Sequence, residues 1–565
     1  MNKESKMRKK RQNKTKMKRL VYRRYIFQLL VFALVLLLLV GCPAPTLKED
    51  PSIKALSIGL NTIDPVRPAE LSDSPPVSVE EATKEVTEQI TDPNEEVPVI
   101  ELTLEQVRVA TLANNLGLKA DLIDPAIAQR AVDIERAKFE AAFFGSASYN
   151  TSETEEGVSS ASNNYNVGID APLYTGGSVS VDMPFGESDS DDSEDLADAA
   201  FSVSFVQQLL RGSGTRINTH SIRIAGYQKH IVDARTKQQA INLLVNADVA
   251  YWSLYTAIRV LEVSREQYKL AQIQLDHAKK KVAAGAAPRT EIIRAEAGLF
   301  GRVSDLINTE TWVQNRQLDL QRIMNRQDIP LNANIRIEPK TGPNPLKLDI
   351  DPEKLVEVAL SNRMETVQWE LELAIDELDL ELNRNATLPD LSLSYSYDAQ
   401  TSAGDIGHAF GDFSDKTSDT HLVGLSARIP MGNRAAKARL EQARLQQLQS
   451  QTDYADYRQS IQQEVYDRVR DLNNSWRNIL AAEQNVEGAL RTYKVEQSQF
   501  QIGNRTSTEV SDSSAVLARA QLGRINALVD YEIAQIYLAR ATGTLLRHSK
   551  IILEPTDIQD LPDAR

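Results

Sequence analysis

Few residues in this chain are of a type and spacing that support enzymatic or metal chemistry. The six histidines, His220, His230, His277, His408, His421 and His548, stand apart, with no pair at ligand spacing. No His-Glu-x-x-His, no phosphate loop of the Gly-x-x-x-x-Gly-Lys type and no Gly-x-Ser-x-Gly elbow occurs. The acids Glu187, Asp189, Asp191, Asp192, Glu194 and Asp195 have the chemistry of a calcium site, or more simply of a solvated loop. One cysteine, Cys42, permits neither an intrachain disulfide nor a cysteine metal cluster. No catalytic residue, metal or cofactor is therefore expected. Trp252, Trp312, Trp369 and Trp476 lie in helical stretches and read as packing anchors. More promising are charged groups just after two glycine turns: Glu291 after Gly285, and Arg505, Glu509 and Asp512 after Gly503. A carboxylate there favours the dipole of a helix start.

Formal net charge is −14, but residues 1–24 carry twelve Lys or Arg against one acid, leaving a remainder near −25. Phosphate binding needs a basic face, so nucleic acid is not an expected partner. Behind the basic segment, Ile26 to Val40 are apolar except Gln28. That run is short for a bilayer span, which takes ~20 residues, and suits an export signal. It ends in Leu39-Val40-Gly41-Cys42, which resembles a bacterial lipobox with Cys42 as the lipidated first residue. A short membrane anchor with a bystander cysteine fits the same pattern. The following stretch, to residue 99, is rich in proline and acid without sustained periodicity and reads as a linker.

The elements that would position the two turns come from a tandem duplication. Thr111-Leu112-Ala113-Asn114 returns as Ala359-Leu360-Ser361-Asn362, 248 residues on. Gly285…Thr290-Glu291-Ile292 returns as Gly503…Thr508-Glu509-Val510 at an offset of 218, as do Leu299 and Leu517. The first copy thus holds 30 extra residues, for which the acidic stretch Glu187 to Asp195 is the obvious place. Before each turn runs a seven-residue apolar repeat: Leu254, Leu261, Tyr268, Leu275 and Val282, then Leu472, Ile479, Val486, Tyr493 and Phe500. Such a repeat keeps one seam against a partner helix and imposes a left-handed supercoil. Arg434 to Gln501 lacks proline, and at ~1.5 Å per residue it makes a helix about 100 Å long. An earlier helix is expected over Leu104 to Phe143, kinked or broken at Pro125.

Between the helices, alternating segments predict strands at Gly145–Tyr149, Asn164–Ala171, Ser178–Pro184 and Phe201–Gln207, then Leu391–Asp398 and Leu422–Ile429. Apolar residues on one face and Ser, Gly or Asn on the other fit a membrane β-barrel, and also one sheet of a soluble sandwich. Strands from one chain cannot close a barrel, so several identical chains would be needed.

Taken in order, Leu102-Thr103-Leu104-Glu105-Gln106, Ala113-Asn114-Asn115 and Ala386-Thr387-Leu388-Pro389-Asp390-Leu391-Ser392-Leu393 resemble the TolC family of outer-membrane efflux ducts, over about Glu101 to Leu546. Leu209-Leu210-Arg211-Gly212-Ser213-Gly214 and Ser221-Ile222-Arg223-Ile224-Ala225 resemble a subgroup with a more elaborate first barrel segment. The resemblance implies a mainly α fold with a β-barrel part. It implies a homotrimer in outer-membrane lipid, conventionally with four strands per chain and twelve in all, so that some of six strands would lie outside the barrel. Coiled-coil helices would form an α-barrel through the periplasm, ending in a closable aperture that meets a periplasmic adaptor protein and an inner-membrane transporter. Gly285, Thr290, Gly503, Asn504 and Thr506 would be adaptor-docking tips. Glu291, Arg505, Glu509 and Asp512 would line the aperture, with Arg505 matching a latching arginine. Phe500 replaces a tyrosine whose hydrogen bond strengthens the latch in some members. The expected division is a signal peptide over 1–41, a linker over 42–100, copies over 101–330 and 348–546 joined by 331–347, and a tail over 547–565. The competing reading is a structural coiled-coil envelope lipoprotein without a channel, which has no use for strands in both copies.

Overall fold

A computed structural model describes residues 98–548 except 154–158, 191–195, 412–417 and 503. Cys42, the linker, most of the tail, Gly503 and part of the acidic run lie outside the described residues. The first copy begins with strand β1 (Val99–Leu102) and helices α1 (Leu104–Asn114), α2 (Leu116–Asp121) and α3 (Asp124–Ala137). Strands β2 (Ala142–Glu153), β3 (Ser159–Pro172), β4 (Gly177–Ser190) and β5 (Leu196–Gln208) follow, then a short α4 (Thr215–Asn218). The long α5 (His220–Ala283) and α6 (Thr290–Met324) complete it. Strand β6 (Arg336–Pro339) lies in the joint. The second copy has α7 (Pro352–Asn362), α8 (Met364–Ala386), β7 (Asp390–Ala403), α9 (Ile406–Gly411), β8 (Ser418–Arg428), α10 (Arg434–Gln501), α11 (Ser507–Ala541) and α12 (Leu545–His548).

The duplication shows in the helix ends. Helices α1 and α7 both run eleven residues and stop at Asn114 and Asn362. Both long helices stop at positions 218 apart, Ala283 and Gln501. The expected first helix is in fact three, and it ends earlier. Asn115 breaks it by turning out of helix and capping α2, its side chain accepting from the Leu118 N–H. Pro125 then sits in the first turn of α3, where its missing N–H costs nothing. Phe143 belongs to β2, pointing outward at the sheet edge.

Heptad positions form the seams. Leu254, Leu261 and Leu275 are buried on α5, and Leu472, Ile479 and Tyr493 on α10. Ile461, Val465 and Tyr531 are almost fully buried in the α10–α11 core. Each such side chain contributes about 1.5–3 kcal/mol of hydrophobic stabilisation. One buried ion pair ties α1 to α5: the Arg108 guanidinium donates twice, at 2.7 Å each, to the fully buried Asp248 carboxylate.

All six long strands lie in one antiparallel sheet, in the order β2-β3-β4-β5-β7-β8. This corrects one expectation: where the second copy has two long strands the first has four, so the surplus of the first copy is a further pair of strands and not chiefly the acidic stretch. The β3–β4 turn is tight: Gly176 has φ +89, and a Cβ there would sit 2.0 Å from the Gly212 carbonyl oxygen. Rows across the sheet separate by polarity. Phe143, Ile169, Val181, Val203, Tyr397 and His421 share one face. On the other, Ser202 donates to Asp398 at 2.7 Å, and the Ser180 and Ser204 hydroxyls lie 2.6 Å apart.

Candidate functional site

The two turns predicted from the sequence come together at one end of the helical pairs. Helix α5 ends because Gly285 takes φ +70, a left-handed conformation that costs glycine little. Around it the Ala286 N–H donates to the Lys281 carbonyl (2.9 Å) and the Gly285 N–H to Val282 (3.0 Å), satisfying helix-end carbonyls. The matching bond at offset 218 closes α10, from the Asn504 N–H to the Gln499 carbonyl at 2.9 Å.

The restarts differ. Helix α6 begins at Thr290 behind Pro288 and Arg289, without a side-chain cap. Helix α11 begins with a full capping box: Thr506 accepts from the Glu509 N–H, and the Glu509 carboxylate accepts from the Thr506 N–H at 2.8 Å. Thr508 is thus inside the helix, and Thr506 is the cap. Arg505 lies 3.0 Å from Glu496 and donates to Glu509 at 2.7 Å. The Thr506 N–H, then Arg505 and the Thr506 hydroxyl, hold the Glu509 carboxyl below the usual glutamate range. Asp512, one turn on, is exposed and has no polar partner among the described residues.

Two contacts bind the tips to each other. Ser507 donates to Glu291 at 2.5 Å, while Arg294 pairs with the same carboxylate at 3.1 Å. The Lys281 ammonium sits 3.6 Å from the Phe500 ring centre and donates to the Phe500 carbonyl at 3.4 Å. Phenylalanine at 500 therefore has a partner of its own, a cation over the ring face. Lys281, Glu496 and Ser507 were not among the sequence candidates. The capping box was legible as Thr506-x-x-Glu509; the inter-tip contacts had no local signal.

A family model described as outer membrane efflux protein matches residues 107–326 and 355–544, one segment in each copy. The chain belongs to the outer membrane efflux protein family. Among curated relatives of this family, the outer membrane protein TolC of Escherichia coli K12 is 24% identical over 350 residues, 61% of this chain and 69% of that protein. TolC of Salmonella enteritidis is 22% identical over 363 residues, 64% and 72% of the two chains. The fold agrees with solved structures. The Campylobacter jejuni CmeC outer membrane channel superposes with a TM-score of 0.60 at 15% identity, covering 81% of this chain and 90% of that one. A membrane protein from Pseudomonas aeruginosa gives 0.60 at 20% identity, over 78% and 93%. As a member of this efflux family the protein is an outer-membrane component, and the Campylobacter jejuni neighbour is an outer membrane channel.

Proposed function

We propose that the protein is a passive export duct: a homotrimer whose sheets close a barrel in the outer membrane and whose helices carry the passage through the periplasm. The observation that carries this reading is the sheet, apolar on one face and polar on the other, continuous with helices of about 100 Å at ~1.5 Å per residue. A structural spacer needs the helices but not the sheet. Leu445 and Leu448 on α10 are each 59% exposed in the single chain, which fits cover by a neighbouring copy. Cys42 is the proposed lipid attachment to the outer membrane, and a periplasmic adaptor with an energised inner-membrane transporter supplies the drive. The tips at Gly285, Thr290, Gly503, Asn504 and Thr506 are the proposed adaptor contact.

Glu291, Arg505, Glu509 and Asp512 form the proposed aperture with divided labour. Glu291 and Glu509 are engaged in holding the tips, so Asp512 is the carboxylate left to face passing ions. Conductance of the purified protein in planar bilayers tests this, comparing wild type with Asp512→Ala. Small cation-preferring currents that lose their preference in the variant are expected. Currents indifferent to the substitution would move the selective ring elsewhere. No current from a folded, inserted protein would favour the coiled-coil spacer.

A further inference from the structure

The sheet has two more strands than the four per chain that the family resemblance implies, and those strands are part of its wall. We propose that three copies close a single barrel of eighteen strands, β8 of each chain pairing antiparallel with β2 of the next, with a backbone diameter about 1.5 times that of a twelve-stranded one. The inference rests on the trimeric-duct reading above.

Register is the first argument. Strands β3 and β4 pair from Ser160↔Ser190 to Pro172↔Ser178, β5 and β7 from Ala197↔Ala403 to Gln208↔Ser392, and β7 and β8 from Asp390↔Arg428 to Gln400↔Ser418. Each inner strand is paired on both sides, the β4–β5 ladder skipping only Met183 and Pro184. Placing a hairpin outside the wall would break such a row, and in lipid each unpaired backbone group costs several kcal/mol.

The edges are the second. Within this sheet, among the described residues, β2 and β8 are the strands with a single partner. Six alternating strands make them run in opposite directions, so one chain's β8 can continue into another chain's β2. Both are long enough: eleven residues at ~3.3 Å, tilted about 40°, rise about 28 Å against an apolar band of about 25 Å. Side-chain faces match as well. Phe143 on β2, with Val423 and Leu425 on β8, are 76%, 70% and 69% exposed and lie on the apolar face. Ser148 and Ser426 lie on the polar face. Joining the edges therefore continues both faces, with Phe144 and Leu422 as the apolar exceptions on the polar side, and covers the open rows of the sheet among the described residues.

Width follows from strand number. With ~4.8 Å between strands and ~40° tilt, twelve strands give a backbone diameter of about 24 Å and eighteen about 36 Å. The cross-section more than doubles, so the outer-membrane part of the duct passes bulkier hydrated solutes than a twelve-stranded wall does.

Electron microscopy of the full-length wild-type protein in lipid nanodiscs tests this directly by counting strands. The expected particle has three chains and eighteen wall strands. Disulfide trapping gives an independent reading, with Ala147→Cys combined in turn with Val423→Cys, Leu425→Cys and Ala427→Cys. Covalent trimers from at least one pair are expected, and none when Val181→Cys on β4 replaces Ala147→Cys. A conducting trimer with a twelve-stranded wall, or cross-links from β4 to β8 in place of β2 to β8, overturns the eighteen-stranded barrel and leaves the duct standing. Two chains closing twelve strands also overturns it. A protein that neither inserts nor conducts overturns both.

Discussion

The two tips are copies of one design, but only one is capped, and that difference has a measurable size. At the start of α11 the Thr506 hydroxyl accepts the Glu509 N–H, and the Glu509 carboxylate returns the bond to the Thr506 N–H. At the start of α6 no side chain caps the helix. Replacing an N-cap threonine by alanine costs about 1 kcal/mol, which with RT of about 0.59 kcal/mol is about a fivefold shift in the local opening equilibrium. Thr506 is exposed, so the loss opens no cavity in a core. Hydrogen exchange followed by mass spectrometry on the intact protein reads the effect. In Thr506→Ala, peptides covering 507–511 should exchange about fivefold faster, approaching the rates of 290–293, while peptides from the α10–α11 core are unchanged. Thr506→Ser should restore protection. If Thr506→Ala leaves the 507–511 rates alone, the cap is not what holds this helix start, and the division of labour between Glu509 and Asp512 loses its basis.

Other expectations follow from single contacts. Asp248→Ala strands the Arg108 guanidinium beside α5, and breaking such a buried pair costs about 3–5 kcal/mol; the denaturant midpoint should fall, and an unchanged midpoint would mean that the pair is not held as described. Gly285→Ala places no Cβ against any neighbour, so its cost is that of left-handed backbone alone, about 1–2 kcal/mol, with Gly285→Asn milder; exchange at the end of α5 measures both. The Glu509 carboxyl is held below its ordinary value, so its contribution to the cap is complete above about pH 4.3 and disappears as pH falls through the lowered value. Tip protection should therefore be flat near neutrality and drop in acid, and Glu509→Gln should abolish the pH dependence.

The helices were legible because their signal is local and repeated. Leu472, Ile479 and Tyr493 announce a seam at seven-residue spacing, and Gly285 marks where a helix stops. All six strands were legible for a similar reason, since alternation needs only neighbours in the chain. Alternation does not name partners, however. That β5 pairs with β7, joining the strands of the two copies into one sheet, depends on contacts made nearly 200 residues apart, such as Ser202 with Asp398. The end of the first helix was misplaced because Phe143 suits either state, and only the sheet edge decides. At the site, the turns were found from Gly285 and the Thr-Glu pairs. Lys281 was not, because nothing near it in sequence indicates Phe500, across the tip and 219 residues away.

Strand β1 and strand β6 pair in parallel, Val99 with Arg336 through Leu102 with Pro339. Tyr251, buried on α5, fastens them, its hydroxyl donating to the Thr341 carbonyl and accepting from the Thr341 N–H at 2.8 Å. Beside them the Leu104 N–H donates to the Thr341 hydroxyl, 237 residues along the chain. Closing a loop of that length costs about 5 kcal/mol of chain entropy. This clasp cannot form while the chain is still emerging through its first half; it waits for the joint between the copies. Order of events is thereby written into the molecule: the helical pair of the first copy can zip early, but its base locks only when the second copy is about to begin. A chain cut short before Arg336 should keep its hairpin of helices and lack the lock, leaving β1 without its β6 partner.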